Sequence, residues 1–172
     1  MKKILLTTLF TILSFLLLPT FALAELKIAV VDLQKALASS EAGKKAQAKY
    51  KKEVLSEQSS ISAKKKDLDE KKANLKKLKD SLNKKAVQKK SAEIAKIEKD
   101  LQKSYRESQQ NLRKKNATVV TDLITKMKKV IDKIGEEEKL SLILEKGSQT
   151  LLFSAGVEDI TDKVVSKFNS GK

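Results

Sequence analysis

Histidine and cysteine are both missing from the 172 residues. Without them the commonest general base, the thiol nucleophile and the usual soft metal ligands are unavailable. An enzyme is therefore not expected, and neither a metal nor a cofactor is implied. The lack of cysteine also excludes a disulfide framework and a lipid-anchored N-terminal cysteine. Tryptophan is absent, and beyond residue 24 the only aromatic residues are Tyr50, Tyr105, Phe153 and Phe168. That is too few for a surface that binds nucleic acid by stacking. There is one proline, Pro19, and between Gly43 and Gly135 run 91 residues with neither glycine nor proline. Those residue types punctuate almost every globular fold. A polar stretch of this length without them is either very long helix or disorder.

The first 24 residues have the pattern of an export signal. Lys2 and Lys3 precede an apolar run from Ile4 to Leu18, Pro19 breaks it, and Ala22-Leu23-Ala24 supplies a small-x-small cleavage triplet. Cleavage after Ala24 would leave 148 residues starting at Glu25 and place the chain outside the cytoplasm. An uncleaved membrane anchor is the competing reading, but the apolar run is short for a span.

The positive charge is unevenly placed. Residues 44–115 hold 24 Lys/Arg against 10 Asp/Glu, whereas 25–43 and 116–172 together hold 11 against 12. Lysine is a good soluble helix former, which accounts for its abundance but not for the imbalance. A field of one sign steers anionic partners.

Periodicity decides between helix and disorder. Val54, Ile61, Leu68, Leu75 and Leu82 recur every seven residues, and Leu101, Leu112, Leu123 and Ile134 every eleven. Both intervals keep one stripe facing a partner helix. The spacing predicts a helical arm over 44–134 that folds back near 80–84, with Asn83 capping the returning helix. The serine-rich run 56–62 is a rival turn that would leave very unequal arms. Pairing about the tip opposes residues whose numbers total about 164, which brings Leu68 near Ile94 and Ile97, Ile61 near Leu101 and Tyr105, and Val54 and Leu55 near Leu112. Only 14 of the 72 residues from 44 to 115 are Ile, Leu, Val or Tyr, so the outer arms should be loosely zipped. From Val119 to Ile134 eight of sixteen residues are large and apolar, and the base should be firm. Gly43 is the hinge candidate where arm meets body.

The remaining segments, 25–43 and 135–172, read as a small body. Ile28–Val31 is apolar on both faces, Leu140, Leu142 and Leu144 alternate, and residues 150–154 place Leu151 and Phe153 on one side. Gly147 is expected to join the last two strands as a hairpin. Asp32 can cap the helix that leaves the first strand, and residues 159–162 open a final helix striped by Ile160, Val164 and Phe168. Three strands and one short helix make too small a core for one chain. An oligomer is expected, its core formed by Ile28, Val30, Leu140, Leu142, Leu144, Leu151 and Phe153.

The opening from Lys27 to Leu37, its continuation Ser40-Glu41-Ala42-Gly43-Lys44, and the ending Val157-Glu158-Asp159-Ile160-Thr161 resemble the Skp/OmpH-type periplasmic chaperones. The resemblance spans residues 26–168. It implies an α+β, mostly α fold: a long antiparallel helical hairpin, or tentacle, projecting from a small β-barrel-like body shared between three chains. It also implies a periplasmic holdase in which basic arms enclose unfolded outer-membrane proteins before insertion. No P-loop pattern is present, so capture would run without ATP. Family members carry a basic patch for lipopolysaccharide on the arms; by position near the tip, Lys76, Lys77, Lys79, Lys84, Lys85, Lys89 and Lys90 are the candidates here for an anionic lipid or client. Two readings compete with this one: a structural coiled-coil protein of the envelope, such as an export adaptor, and a sequence-nonspecific polyanion binder.

Overall fold

The computed structural model describes residues 26–147 and 151–171. The expected export signal and the centre of the expected 140–154 hairpin lie outside those residues. The chain is mostly helical with one small sheet. In order, β1 is Ile28–Val31, α1 is Leu33–Ser39, α2 is Glu41–Leu78, α3 is Lys84–Glu138, β2 is Leu142–Glu145, β3 is Glu158–Asp159 and α4 is Thr161–Asn169.

Helices α2 and α3 form the arm. At 1.5 Å per residue they are about 57 and 80 Å long. The serine-rich run 56–62 lies inside α2 and makes no turn. The reversal occupies residues 79–83, where Asn83 accepts a hydrogen bond from the Ala86 backbone N–H at 2.8 Å. The facing residues are offset from the expected register. Glu57–Ser108, Lys64–Ser104 and Lys72–Glu98 have totals between 165 and 170. Totals in this range place Leu68 opposite residues 97–102, which includes Ile97 but not Ile94, and those two isoleucines line a cleft with Leu75 and Leu78 near the tip. The physical reason is the weak seam: about one apolar residue per heptad on α2 does not fix a single alignment in the sequence.

The break where arm meets body falls at Ser40, not at the glycine expected to kink there. Ser40 ends α1 with its backbone N–H on Ala36 and Leu37 carbonyls, and its extended backbone starts α2. Its hydroxyl donates to the Leu37 carbonyl at 2.8 Å and accepts from the Gly43 N–H at 3.0 Å. One buried side chain thus serves two helix ends. Gly43 lies in the first turn of α2 and matters for its lack of a side chain, since a Cβ there would sit 1.8 Å from the Leu37 carbonyl oxygen. That bare backbone lets α1 fold back against the root of the arm. The Glu41 N–H is held from a third direction by Asn169 of α4, at 3.0 Å. At the far end α3 runs past Gly135 to Glu138, and Lys139 adopts the left-handed conformation (φ 55°) that closes it.

The three strands form one open sheet, ordered β2-β1-β3, with every pairing parallel. The expected hairpin across Gly147 is not what completes it. Leu151–Ser154 is not strand, and the third strand is the two-residue Glu158–Asp159 beside Ala29 and Val30. The alternation around Phe153 has the pattern of a strand, but within one chain no sheet edge receives it. Side chains on one sheet face, Ala29, Val31 and Ile143, pack with Met127, Val130, Ile131 and Ile134 of α3 and with Ile160 and Val164 at α4. The stripe Ile160, Val164 and Phe168 faces this core. On the other face Ile28 pairs with Leu142 and Val30 with Leu144. No helix among the described residues is long and apolar enough to cross a membrane.

Candidate functional site: a basic arm on a small sheet

The seven tip lysines are brought together by the reversal. Lys76 and Lys77 lie in the last turn of α2, Lys79 caps it, Lys84 and Lys85 open α3, and Lys89 and Lys90 follow one turn on. All seven are exposed, and none takes part in an ion pair among the described residues. Their positions differ energetically. Lys76 and Lys77 sit at a helix C-terminus, where the macrodipole favours cations. Lys84 and Lys85 sit at an N-terminus that has no acidic residue in its first turn, where the dipole opposes them. Stability gives no reason for that choice. Replacing both, as Lys84→Glu with Lys85→Glu, should therefore raise thermal stability by about 0.3–1 kcal/mol. Thermal melting of the double variant against wild type checks this.

Elsewhere on the arm the cations are partly balanced. Lys72 meets Glu98 across the seam at 3.1 Å and Lys115 meets Glu53 at 3.8 Å, while Lys71–Asp67 and Lys103–Glu107 are bonds along one helix. All lie at the surface, with Glu53 and Glu98 half-buried, and each contributes a fraction of a kcal/mol. Clefts lie between the helices among the described residues. One of about 310 Å³ near the tip is lined by Leu75, Leu78, Ile94 and Ile97. A second of about 360 Å³ at mid-arm is polar, with Glu53, Glu57, Glu107, Ser104 and Ser108. A third of about 400 Å³ nearer the body is lined by Ala46, Tyr50 and Val119 among lysines. Sequence reading missed these clefts, because each depends on which residues of the two helices stand opposite.

The residues expected to form an oligomer core fall into three groups. Val30 is buried, at 2% exposed, although it lies outside the helix-covered core. Ile28, Leu144 and Leu151 are half-buried, whereas Leu142, at 45%, and Phe153, at 83%, are open to solvent. Leu140 instead packs against the helix-covered core beside Ile143. Leu26 and Leu152, not singled out in the sequence, add exposed apolar surface of the same kind.

A polar network ties the body together. The buried Thr161 hydroxyl donates to the Asp159 carboxylate and accepts from the Asp32 N–H at 2.9 Å, joining α4 to the end of β1. Asp159 also accepts from the Thr161 N–H at 3.0 Å and from Lys146 at 3.0 Å. These bonds to Thr161, then Lys146, lower the Asp159 pKa to about 2. A carboxylate depressed on folding adds stability above its unfolded pKa and loses it as pH falls through the folded one. This contribution should accordingly be intact above about pH 4 and gone near pH 2, and solvent screening of the exposed carboxylate keeps it to about 1 kcal/mol at most. Comparing wild type with Asp159→Asn in urea titrations from pH 7 to 2 checks this, and the two curves should converge at the acid end. Lys163 bridges Glu138 and Glu158, which raise its pKa, and Lys167 pairs with Glu137.

Comparison with known proteins yields two findings. The sequence matches, over residues 27–168, the family model described as Outer membrane protein (OmpH-like). The fold is similar to the crystal structure of an OmpH-like protein from Caulobacter crescentus CB15, a proposed outer membrane chaperone. The TM-score is 0.78 at 17% identity, over 84% of this chain and 85% of that one. No curated protein matches the sequence.

Proposed function

Because the chain belongs to the OmpH-like outer membrane protein family, we propose that it is an ATP-independent periplasmic holdase for unfolded outer-membrane proteins. Its arms would surround the client and keep it from aggregating before insertion. The observation that carries this reading is the arm itself: a net charge of +14 over residues 44–115, on two helices joined by a thin apolar seam. Such an arm attracts acidic, unfolded chains over a distance and can yield to their size.

A single arm encloses nothing, and three copies are proposed to share the body. The body supports this, since Leu142 is 45% exposed beside the half-buried Ile28 and Leu144, and Leu152 and Phe153 stand 91% and 83% exposed. Apolar surface of this kind marks an association site. Closing several open sheets around one core would give the barrel-like body. Export by the N-terminal signal, with cleavage after Ala24, supplies the periplasmic location. The tip lysines are proposed to meet anionic lipid or lipopolysaccharide at the membrane surface.

The test is direct. A porin diluted from urea should stay free of light scattering when the purified protein is in excess and ATP is absent. Scattering equal to that of buffer alone would overturn the holdase reading. Protection that vanishes at high salt, with equal protection by any polyanion-binding protein of similar charge, would favour the polyanion reading instead.

A further inference from the structure

The cleft nearest the body differs from the rest of the arm. Ala46, Tyr50 and Val119 line it, and the exposed Lys49, Lys114 and Lys115 stand at its rim. Val119 is 43% exposed at the flank of the buried and half-buried stripe Leu112, Asn116, Val120 and Leu123, and it lines the groove with the small Ala46. Lys115 is turned toward Glu53, whereas Lys49 and Lys114 have no anionic partner among the described residues. We infer that this groove is a discrete anchor that takes one large aromatic side chain of the client where a carboxylate stands next to it in the client sequence.

Three observations favour that occupant. From Ala46 to Glu53 the groove spans two helical turns, about 10 Å, which suits a side chain and is short for a lipid acyl chain. Tyr50 offers a ring against which another aromatic packs edge-to-face. Two unpaired cations at the rim complement an adjacent acid and disfavour an adjacent base. The inference rests on the holdase reading and assigns it a particular point of contact.

The chain has no tryptophan, so the emission of a tryptophan-containing peptide reports on the peptide alone. The probe is a short, otherwise Gly/Ser peptide whose single tryptophan lies between two aspartates, titrated with the full protein at low salt. Its emission should move to shorter wavelength and saturate, and a peptide with lysines in place of the aspartates should bind at least about ten-fold more weakly. Ala46→Leu, which fills the groove, should cost at least about ten-fold, and Tyr50→Phe no more than about two-fold. Lys49→Glu with Lys114→Glu changes only exposed residues and should reverse the preference between the peptides. Equal affinity for both peptides, or no effect of Ala46→Leu in a protein of unchanged helicity, would overturn the anchor. So would binding of decanoate in the groove with no binding of either peptide, which would make it an amphiphile site. Porin aggregation measured in parallel separates the two ideas. Intact suppression with no peptide binding removes the groove alone; lost suppression in the wild-type protein removes the holdase.

Discussion

Gly43→Ala should destabilise the protein by about 3 kcal/mol or more, read as a lower urea midpoint at fixed protein concentration. The expected sign is the informative part. In an ordinary helix interior the same change stabilises by about 1 kcal/mol, because alanine is the better helix former. Here the added methyl group would sit 1.8 Å from the Leu37 carbonyl oxygen and 2.9 Å from the Ser40 hydroxyl. The first of those atoms is backbone, so α1 must move away from α2. Moving it also breaks the Ser40 hydrogen bonds that end one helix and begin the other. A neutral or stabilising result would mean that α1 does not fold back on the arm as closely as the structure has it. Gly135→Ala is the natural control. Its Cβ would be 3.3 Å from the tip of the Ile143 side chain, which can shift by the small amount needed.

Ile134→Ala should cost about 2–5 kcal/mol, the range for deleting a fully buried aliphatic side chain. Ile134 is 1% exposed, where the base of α3 crosses the sheet, among Ala29, Val31, Ile131 and Ile160. Collapse around the gap is hindered because the α3 backbone at Gly135 already lies close to Ile143. The effect should appear in the cooperative unfolding of the body, followed through a probe at residue 168, while helicity of the outer arm declines less. Equal loss in both would show that arm and body melt as one unit.

Much of the arm can be read from residue order. The long run without glycine or proline and the seven-residue spacing of Val54 to Leu82 require helix, and Asn83 marks where the second helix starts. The cap at Asp32 and the stripe Ile160, Val164 and Phe168 are local patterns too. What is not local is not legible. Glu158–Asp159 carries no strand pattern; its backbone pairs with β1 because the buried Ile160 and the Thr161 hydroxyl beside Asp32 hold it there. Leu151 to Phe153 has the pattern without the partner. The register of the arm escapes for a related reason, since about one apolar residue per heptad on α2 leaves several alignments open and lysines are interchangeable to the eye. The basic character of the arm is visible in composition, whereas the groove at Ala46, Tyr50 and Val119 appears only once two helices are aligned.

The parallel pairing of β1 with β2 and β3 joins segments more than a hundred positions apart. A chain emerging from its N-terminal end therefore releases β1 long before any mate exists for it. The rod between them can coil and fold back on local contacts in the meantime, since nearby pairings form faster than distant ones. Assembly then has a built-in order: the limb is finished first, and its anchorage waits for the last few dozen residues. A product cut short before residue 142 would keep the limb and lose both strands that pair with β1.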